Sequence, residues 1–250
     1  MVIIGASHAG ISCAEQLRNR GFSGAITLVD RQAGAPLERP PLSKSYLGSA
    51  PEEDEKFLLR RPEWYDKFQV TMIDGVAVDR IEPETHQIGL ADGQSLNYDK
   101  LILATGAIPR TLPPAAGLGN VHVLRNPDDA AALRRAMQTA ATAVVIGGGY
   151  IGLEAAASFC KAGLNVHVVE AADRLLARVA SPDMSAFFLD LHQRHGVMIH
   201  TGMTGTKIDH KDGIFTGITL DTGQQISADF LVVGIGVAPD SVLADAAGAA

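Results

Sequence analysis

The hydrophobic positions of the chain alternate between short apolar runs and stretches with helical spacing. Residues 2–30 and 144–170 share one order: a β-branched run, a glycine-rich turn, apolar residues at helical spacing, and a second apolar run that ends in an acid. Short apolar runs bounded by glycine are typical of buried strands, whereas apolar residues every three or four positions are typical of an amphipathic helix. Each stretch therefore predicts a strand–helix–strand unit, and together they predict an internal repeat.

A second repeated pattern predicts where each unit closes. Residues 99–109 read DKLILATGAIP and residues 229–239 read DFLVVGIGVAP, with acid, glycine and proline at matching positions. Each reads as a buried strand that returns to its own sheet and leaves through a glycine turn. Before each of them, residues 76–98 and 214–227 alternate and are interrupted by a turn containing Asp and Gly, which predicts a small antiparallel meander.

These patterns predict an α/β chain made of two tandem Rossmann-like domains. Each domain would have three layers, a meander, a parallel sheet and helices (ββα). We expect the first domain to span residues 1–107 and the second residues 108–236, with residues 237–250 beginning a return to the first. Residues 108–119 are rich in proline and glycine and are the expected linker.

The second repeat carries a complete G-x-G-x-x-G pattern at Gly147, Gly149 and Gly152. In a strand–turn–helix the first glycine permits the tight turn, the second lets backbone approach a pyrophosphate, and the third allows close helix packing. The helix amino terminus also favours phosphate. Glu170 ends the next strand, where a carboxylate can accept ribose hydroxyls and would repel a 2′-phosphate. We therefore predict a dinucleotide site that prefers NADH to NADPH.

The first repeat carries a less complete version of the same pattern. Gly5 and Gly10 occupy the outer positions, Ser7 stands in the middle, and Asp30 supplies the terminal acid. Serine is small, so we predict a second dinucleotide site here. The alternative is a nucleotide-binding fold that no longer holds its ligand.

Composition narrows the class of protein. The 250 residues are 46% hydrophobic with a net charge of −7, which disfavours nucleic acid as a partner. No apolar run is long enough to span a membrane and the first residues do not resemble a signal peptide, so we expect a cytoplasmic protein. Cys13 and Cys160 are far apart and are expected to be buried in helices. His192, His195 and His200 lack a metal-ligand spacing, so we predict no metal site.

The chain resembles the FAD-dependent NADH:ferredoxin reductases, which include the rubredoxin and dioxygenase ferredoxin reductases. The resemblance runs along the whole chain. It rests on seven motifs: GASHAG (5–10), RPPLSK (39–44), LRRPEWY (59–65), LILATGAIPR (101–110), VVIGGGYIGLEAAAS (144–158), RLLARVASPDMSAFF (174–188) and VVGIGVAPD (232–240). Members of that family continue beyond the point that corresponds to residue 250. We therefore expect a truncated chain that lacks the last strand of the first domain and a separate carboxy-terminal interface domain. The alternative is a naturally split protein.

The resemblance implies which residues contact each cofactor. Those expected at FAD are Gly5, Ala9, Gly10, Asp30, Arg39, Lys44, Val78, Thr105, Gly106 and Arg125. Those expected at NADH are Gly147, Gly149, Ile151, Gly152, Glu154, Glu170, Arg178 and Gly236. Lys44 and Glu154 would be the catalytic pair, with Lys44 against the flavin ring and Glu154 facing both Lys44 and the nicotinamide. Outside these motifs, the two residues would be read as a solvated lysine and an acid in a first helical turn.

The function that the resemblance implies is flavin-mediated electron transfer from NADH to a [2Fe–2S] ferredoxin or a rubredoxin that serves a P450 or an aromatic-ring oxygenase. Residues 42–47 contain no cysteine pair, which excludes a dithiol relay like that of disulfide-reducing relatives. The alternative is an NADH-binding flavoprotein, similar to apoptosis-inducing factor, whose redox state controls association. The sequence leaves the oligomeric state open.

Overall fold

The computed structural model describes residues 1–249, which form two compact units. Unit 1 comprises Met1–Glu38, Glu52–Ile108 and the residues from Pro239 onward, and unit 2 comprises Arg39–Pro51 and Pro109–Ala238. The predicted α/β class with parallel sheets is confirmed. One grouping differs from the sequence expectation: Arg39–Pro51, assigned to the first domain by its place in the chain, belongs to unit 2.

Unit 1 is built around a parallel sheet. Its strands in chain order are β1 (Val2–Ile4), β2 (Ile26–Val29), β3 (Val70–Ile73), β4 (Val78–Glu82), β5 (Gln87–Leu90), β6 (Ser95–Asn97), β7 (Leu101–Leu103) and β8 (Ala107–Pro109). The helices are α1 (His8–Asn19) and α2 (Pro62–Phe68), with a 3-10 helix at Pro51–Phe57. The parallel sheet has the order β3-β2-β1-β7, and β4-β5-β6 form the antiparallel meander.

The two faces of β1 explain the three layers of unit 1. Successive side chains on a strand point to opposite faces. Ile3 lies in a cluster with Ile11 of α1 on the helical side. Val2 and Ile4 instead lie in a cluster with Ile88 of the meander. A strand that buries both faces reads as a continuous apolar run, which is the pattern the sequence shows.

Unit 2 repeats this plan. Its strands are β9 (Val121–His122), β10 (Thr142–Ile146), β11 (Asn165–Glu170), β12 (Val197–Thr201), β13 (Gly205–Lys211), β14 (Ile214–Leu220), β15 (Gln225–Ser227) and β16 (Phe230–Val233). Its helices are α3 (Pro127–Met137), α4 (Tyr150–Lys161) and α5 (Pro182–Arg194), with 3-10 helices at Pro40–Ser43, Ser45–Gly48 and Pro113–Ala115. Strand β17 (Val237–Pro239) follows, and helix α6 (Val242–Ala246) belongs to unit 1.

The sheet of unit 2 has the order β12-β11-β10-β16-β9 and is parallel throughout. The meander β13-β14-β15 covers one face, where Val144 packs with Phe215 and Ile218. Helix α4 contacts β10 and β11, and the rings of Phe159 and Phe230 meet edge to face with centroids 5.3 Å apart. The order places the carboxyl ends of β10 and β11 side by side at the edge where α4 begins, and this is where the complete glycine pattern lies.

Candidate functional site

Each unit contains a glycine loop, which we define as residues 5–10 in unit 1 and residues 147–152 in unit 2. The first glycine of each loop has a left-handed backbone, with φ of +105° at Gly5 and +111° at Gly147. A Cβ at Gly5 would overlap the backbone of Ala104, and one at Gly147 would overlap the backbone of Gly234. Glycine is therefore required at this position for two reasons: the backbone is left-handed, and there is no room for a Cβ.

The last glycine of each loop brings the helix onto the turn. A Cβ at Gly10 would overlap the carbonyl oxygen of Gly5, and a Cβ at Gly152 would overlap that of Gly147. Helices α1 and α4 can begin this close to their strands only because the side chain is missing.

The middle position is different. Gly149 has φ of −83° and ψ of −178°, an extended conformation that any residue adopts. A Cβ built there meets no protein atom within 4 Å. Ser7, at the matching position of unit 1, has a similar backbone with φ of −92° and ψ of −161°. In unit 2 the fold leaves open space in front of Gly149, at the amino terminus of α4, and that space fits a dinucleotide pyrophosphate.

The terminal acids are held against the loops in the same way. Asp30 Oδ2 accepts a hydrogen bond from the Ala6 N–H at 2.6 Å, and Oδ1 accepts one from the Gln32 N–H at 2.8 Å. Glu170 repeats this with the Gly148 N–H at 2.6 Å and the Ala172 N–H at 2.8 Å. Each carboxylate is fixed at the end of the second strand of its unit, where the ribose of a bound dinucleotide would lie.

Within unit 2, Lys44 and Glu154 are in contact. Lys44 Nζ lies 2.7 Å from Glu154 Oε2 and also donates to the Pro40 carbonyl at 3.0 Å. Glu154 is the fifth residue of α4, at the start of its second turn and two positions after the glycine loop. The contact expected from the resemblance is thus present, whereas the role of both residues in hydride transfer stays a prediction.

Sequence reasoning missed Ser43, the residue before Lys44. Its hydroxyl donates to the same Glu154 Oε2 at 2.6 Å, and its carbonyl accepts a hydrogen bond from Ser158 Oγ at 2.8 Å. Ser43 is only 2% exposed. The sequence did contain one indication of this role. Ser43 lies inside the RPPLSK motif between Leu42 and Lys44, where a serine hydroxyl can donate a hydrogen bond to a neighbouring site residue.

Three residues expected at FAD lie in unit 2. Arg39 and Lys44 belong to the segment 39–51, and Arg125 precedes α3. Arg39 Nη1 donates to the Arg125 carbonyl at 2.6 Å. Val78, also expected at FAD, is partly buried on β4 and packs beside the meander cluster of unit 1.

The remaining predicted residues lie in turns near the ends of strands or at the starts of helices. In unit 1, Thr105 Oγ1 donates to the Asp240 carbonyl at 2.7 Å, and the Gly106 carbonyl accepts from the Asp240 N–H at 3.0 Å. In unit 2, Gly236 has φ of +108°, and a Cβ built there would lie 3.7 Å from Arg178 Nη2. Ala9 and Ile151 are exposed near the starts of α1 and α4.

The aromatic, cysteine and metal-ligating side chains outside the glycine loops form no further site in the part of the chain that the structure describes. Trp64 and Tyr65 are partly buried and pack against the cluster of unit 1 that contains Ile3 and Ile11. Cys13 and Cys160 lie in helices as predicted, but the expectation that they are buried is wrong, because both are partly exposed. Across residues 1–249, no three His, Cys, Asp or Glu side chains are grouped so as to hold a metal ion. Nor does any helix in that range combine the length and apolar character needed to cross a membrane.

Known proteins share both the sequence and the fold. Rhodocoxin reductase from Rhodococcus erythropolis is 46% identical over 246 residues, which are 98% of this chain and 57% of that protein. Putidaredoxin reductase from Pseudomonas putida is 39% identical over 254 residues, covering 99% and 60%. The crystal structure of a covalent putidaredoxin reductase–putidaredoxin complex matches with a TM-score of 0.93 at 40% identity, covering 99% of this chain and 60% of that one.

The chain thus spans about 60% of the length of these relatives. The resemblance to ferredoxin reductases seen in the sequence is confirmed by these matches. The sequence profile of one family, described as Pyridine nucleotide-disulphide oxidoreductase, matches residues 1–250. The chain therefore belongs to the pyridine nucleotide-disulphide oxidoreductase family.

Proposed function

We propose that this chain carries the FAD- and NADH-binding part of a reductase that passes electrons from NADH through flavin to a [2Fe–2S] ferredoxin or a rubredoxin. Unit 1 would bind FAD and unit 2 NADH. The observation that carries the proposal is the pair of matched glycine loops, each with an extended middle residue at a helix amino terminus and a fixed acid. Two such loops in one chain fit two dinucleotides rather than one.

Bound FAD would supply the chemistry that the protein lacks, since a flavin accepts a hydride and releases electrons one at a time. The protein contributes position and charge. The Lys44 ammonium would stabilise negative charge that develops on the flavin ring, because a preorganised cation needs no reorganisation during the reaction. Glu154 would hold that ammonium in place, and Glu170 would exclude a 2′-phosphate.

The names of the relatives favour this function over the alternative of a flavoprotein similar to apoptosis-inducing factor. Rhodocoxin reductase and putidaredoxin reductase are named for the carriers that they reduce, and the matching crystal structure pairs a reductase with its carrier. Another relative is the ferredoxin–NAD(+) reductase component of a 3-phenylpropionate/cinnamic acid dioxygenase. We extend this to the present chain and propose that its carrier serves a P450 or an aromatic-ring oxygenase in the cytoplasm, a setting in keeping with two free cysteines.

The proposal is tested with the FAD-loaded chain, NADH and cytochrome c as final acceptor, with and without added [2Fe–2S] ferredoxin or rubredoxin. An electron-transfer reductase gives a rate that rises with carrier concentration and favours NADH over NADPH. A rate that neither carrier changes would support the association-controlling flavoprotein instead.

Lys44→Met is expected to slow flavin reduction by NADH about tenfold or more, because it removes the cation beside the ring. Stopped-flow absorbance of the flavin measures this step alone. Lys161→Met, at the exposed carboxyl end of α4, is the matched control. Equal rates in Lys44→Met and wild type would mean that Lys44 is an ordinary solvated lysine.

A further inference from the structure

Ser43 is placed where it can fix the carboxylate of Glu154. Oxygen Oε2 of Glu154 accepts two hydrogen bonds, one from Lys44 Nζ at 2.7 Å and one from Ser43 Oγ at 2.6 Å. The two donors differ in burial. The Lys44 side chain is 49% exposed, whereas Ser43 is 2% exposed.

This difference in burial decides which donor holds Glu154. An exposed ion pair on a flexible four-carbon side chain contributes little, because water screens it and the side chain loses entropy when it is fixed. A hydroxyl that donates to a carboxylate from a buried position makes a short charge-assisted bond with few competing conformations. Ser43, rather than Lys44, therefore sets where Glu154 Oε2 lies.

Ser43 is itself held by helix α4 at two points. Glu154 and Ser158 are four residues apart, so they lie on the same face of the helix. Glu154 accepts from the Ser43 side chain, and Ser158 donates to the Ser43 carbonyl. The 3-10 helix Pro40–Ser43 is thereby joined to the second and third turns of α4, and Lys44 follows directly.

We propose that Ser43 is a positioning residue that fixes the Glu154 carboxylate, so that the Lys44 ammonium is held by an anchored acceptor instead of a mobile one. This inference rests on the proposed function for its effect on hydride transfer, but the anchoring itself does not. Ser43 touches neither cofactor in this role and acts only through Glu154.

The experiment compares wild type with Ser43→Ala and with Ser49→Ala. Ser49 is the matched control because it lies in the same segment and its hydroxyl donates to the Tyr46 carbonyl at 2.8 Å, away from Glu154. The first readout is the carboxyl carbon resonance of Glu154 at fixed pH, in the full chain with labelled glutamate, assigned through Glu154→Gln. We expect this resonance to move in Ser43→Ala and to stay in place in Ser49→Ala.

The second readout is stopped-flow flavin reduction in the FAD-loaded chain over a range of NADH concentrations. Loss of one hydrogen bond to a charged group predicts a limiting rate about tenfold lower in Ser43→Ala, with the NADH concentration for half-saturation nearly unchanged. In the Glu154→Gln background the same substitution should have little further effect, because the anchored carboxylate is already absent.

The outcomes separate this inference from the proposed function. An unmoved Glu154 resonance in Ser43→Ala overturns the anchoring. A moved resonance with a wild-type limiting rate overturns the positioning role while leaving the reductase function intact. If wild type itself shows no flavin reduction by NADH, the proposed function fails and the resonance still decides the anchoring. Should Ser43→Ala fold poorly, Ser158→Ala frees the Ser43 carbonyl and should move the resonance in the same direction by less.

Discussion

The two glycine loops have the same backbone but different residues in the middle. The outer glycines cannot be replaced in either loop, since a Cβ there would overlap backbone atoms. At the middle position the backbone is extended in both loops, and nothing in the protein excludes a side chain at Gly149. The outer glycines are therefore needed for folding, whereas the middle glycine serves only whatever approaches the loop. Ser7 in unit 1 changes the space offered to a ligand, not the fold.

Replacing the last glycine of either loop should have a larger effect than replacing its terminal acid or its middle residue. Gly10→Ala and Gly152→Ala each force a Cβ into a carbonyl oxygen of the same loop, so we expect a loss of about 3 kcal/mol in the free energy of unfolding for each. Urea unfolding measures both, with Gly149→Ser as the control. If one of the two alanines is tolerated, the loops are not equivalent.

The terminal acids should give the next largest effect. Asp30→Ala and Glu170→Ala each remove a carboxylate that accepts two backbone N–H groups, and we expect each to cost about 2 kcal/mol in the free energy of unfolding. Asp30→Asn and Glu170→Gln keep one acceptor oxygen and should cost about half as much. Thermal unfolding checks the four variants, and a neutral result for one acid would limit the comparison to the glycines.

Exchange of the middle residues should separate folding from binding. Gly149→Ser gives unit 2 the residue that unit 1 already has, and its free energy of unfolding should change by less than about 0.5 kcal/mol. Its affinity for NADH, measured by calorimetry, should fall about tenfold, because the hydroxymethyl group occupies space in front of the loop. The reciprocal Ser7→Gly should leave stability nearly unchanged. A large loss of stability in Gly149→Ser would show that the middle glycine is also structural.

The smallest expected effect is a dependence of stability on pH, which arises from histidines in unit 2. Burial lowers the pKa of His122, His167, His192 and His200, which all lie in unit 2. A lowered pKa means that the unfolded chain binds more protons, so this stabilisation is present above the ordinary histidine pKa near 6.5 and is lost as pH falls below it. We expect the melting temperature to fall between pH 7.5 and pH 5.5.

His122 offers a way to sharpen this test. Its Nε2 is buried without a hydrogen-bond partner, and its ring meets Phe230 edge to face. His122→Phe keeps an aromatic ring and removes the titrating group, so the melting temperature should depend less on pH. His210→Gln, at an exposed position on β13, is the control. An unchanged pH dependence in His122→Phe would place the effect elsewhere.

The sequence was sufficient for features that depend on local pattern. Buried runs, glycine turns and strand-ending acids recur at fixed spacing, so both strand–helix–strand units and both meanders could be predicted from them. Burial of the cysteines could not, because helix periodicity does not say how far the covering layer extends, and Cys13 and Cys160 are partly exposed.

The hydrogen bond between Ser43 and Glu154 shows a second limit. It joins residues 111 positions apart, and it exists only because the segment 39–51 packs with unit 2. Local pattern assigns that segment to the unit that surrounds it in the chain. The same limit hid the contact between Arg39 and Arg125. Lys44 and Glu154 were identified only through family resemblance. Relatives with the same motifs share contacts between residues that are distant in sequence, and hydrophobic periodicity does not predict such contacts.

The placement of the segment 39–51 limits how this chain can be divided or recombined. A fragment covering residues 109–238 has the appearance of a transferable module, yet it would leave behind Ser43 and Lys44. A chimera that takes the second glycine loop from a relative has to take the matching thirteen-residue stretch from the same parent, or α4 will meet a foreign RPPLSK-like segment. A functional exchange in this protein therefore has to transfer two separate coding segments, one for residues 39–51 and one for residues 109–238.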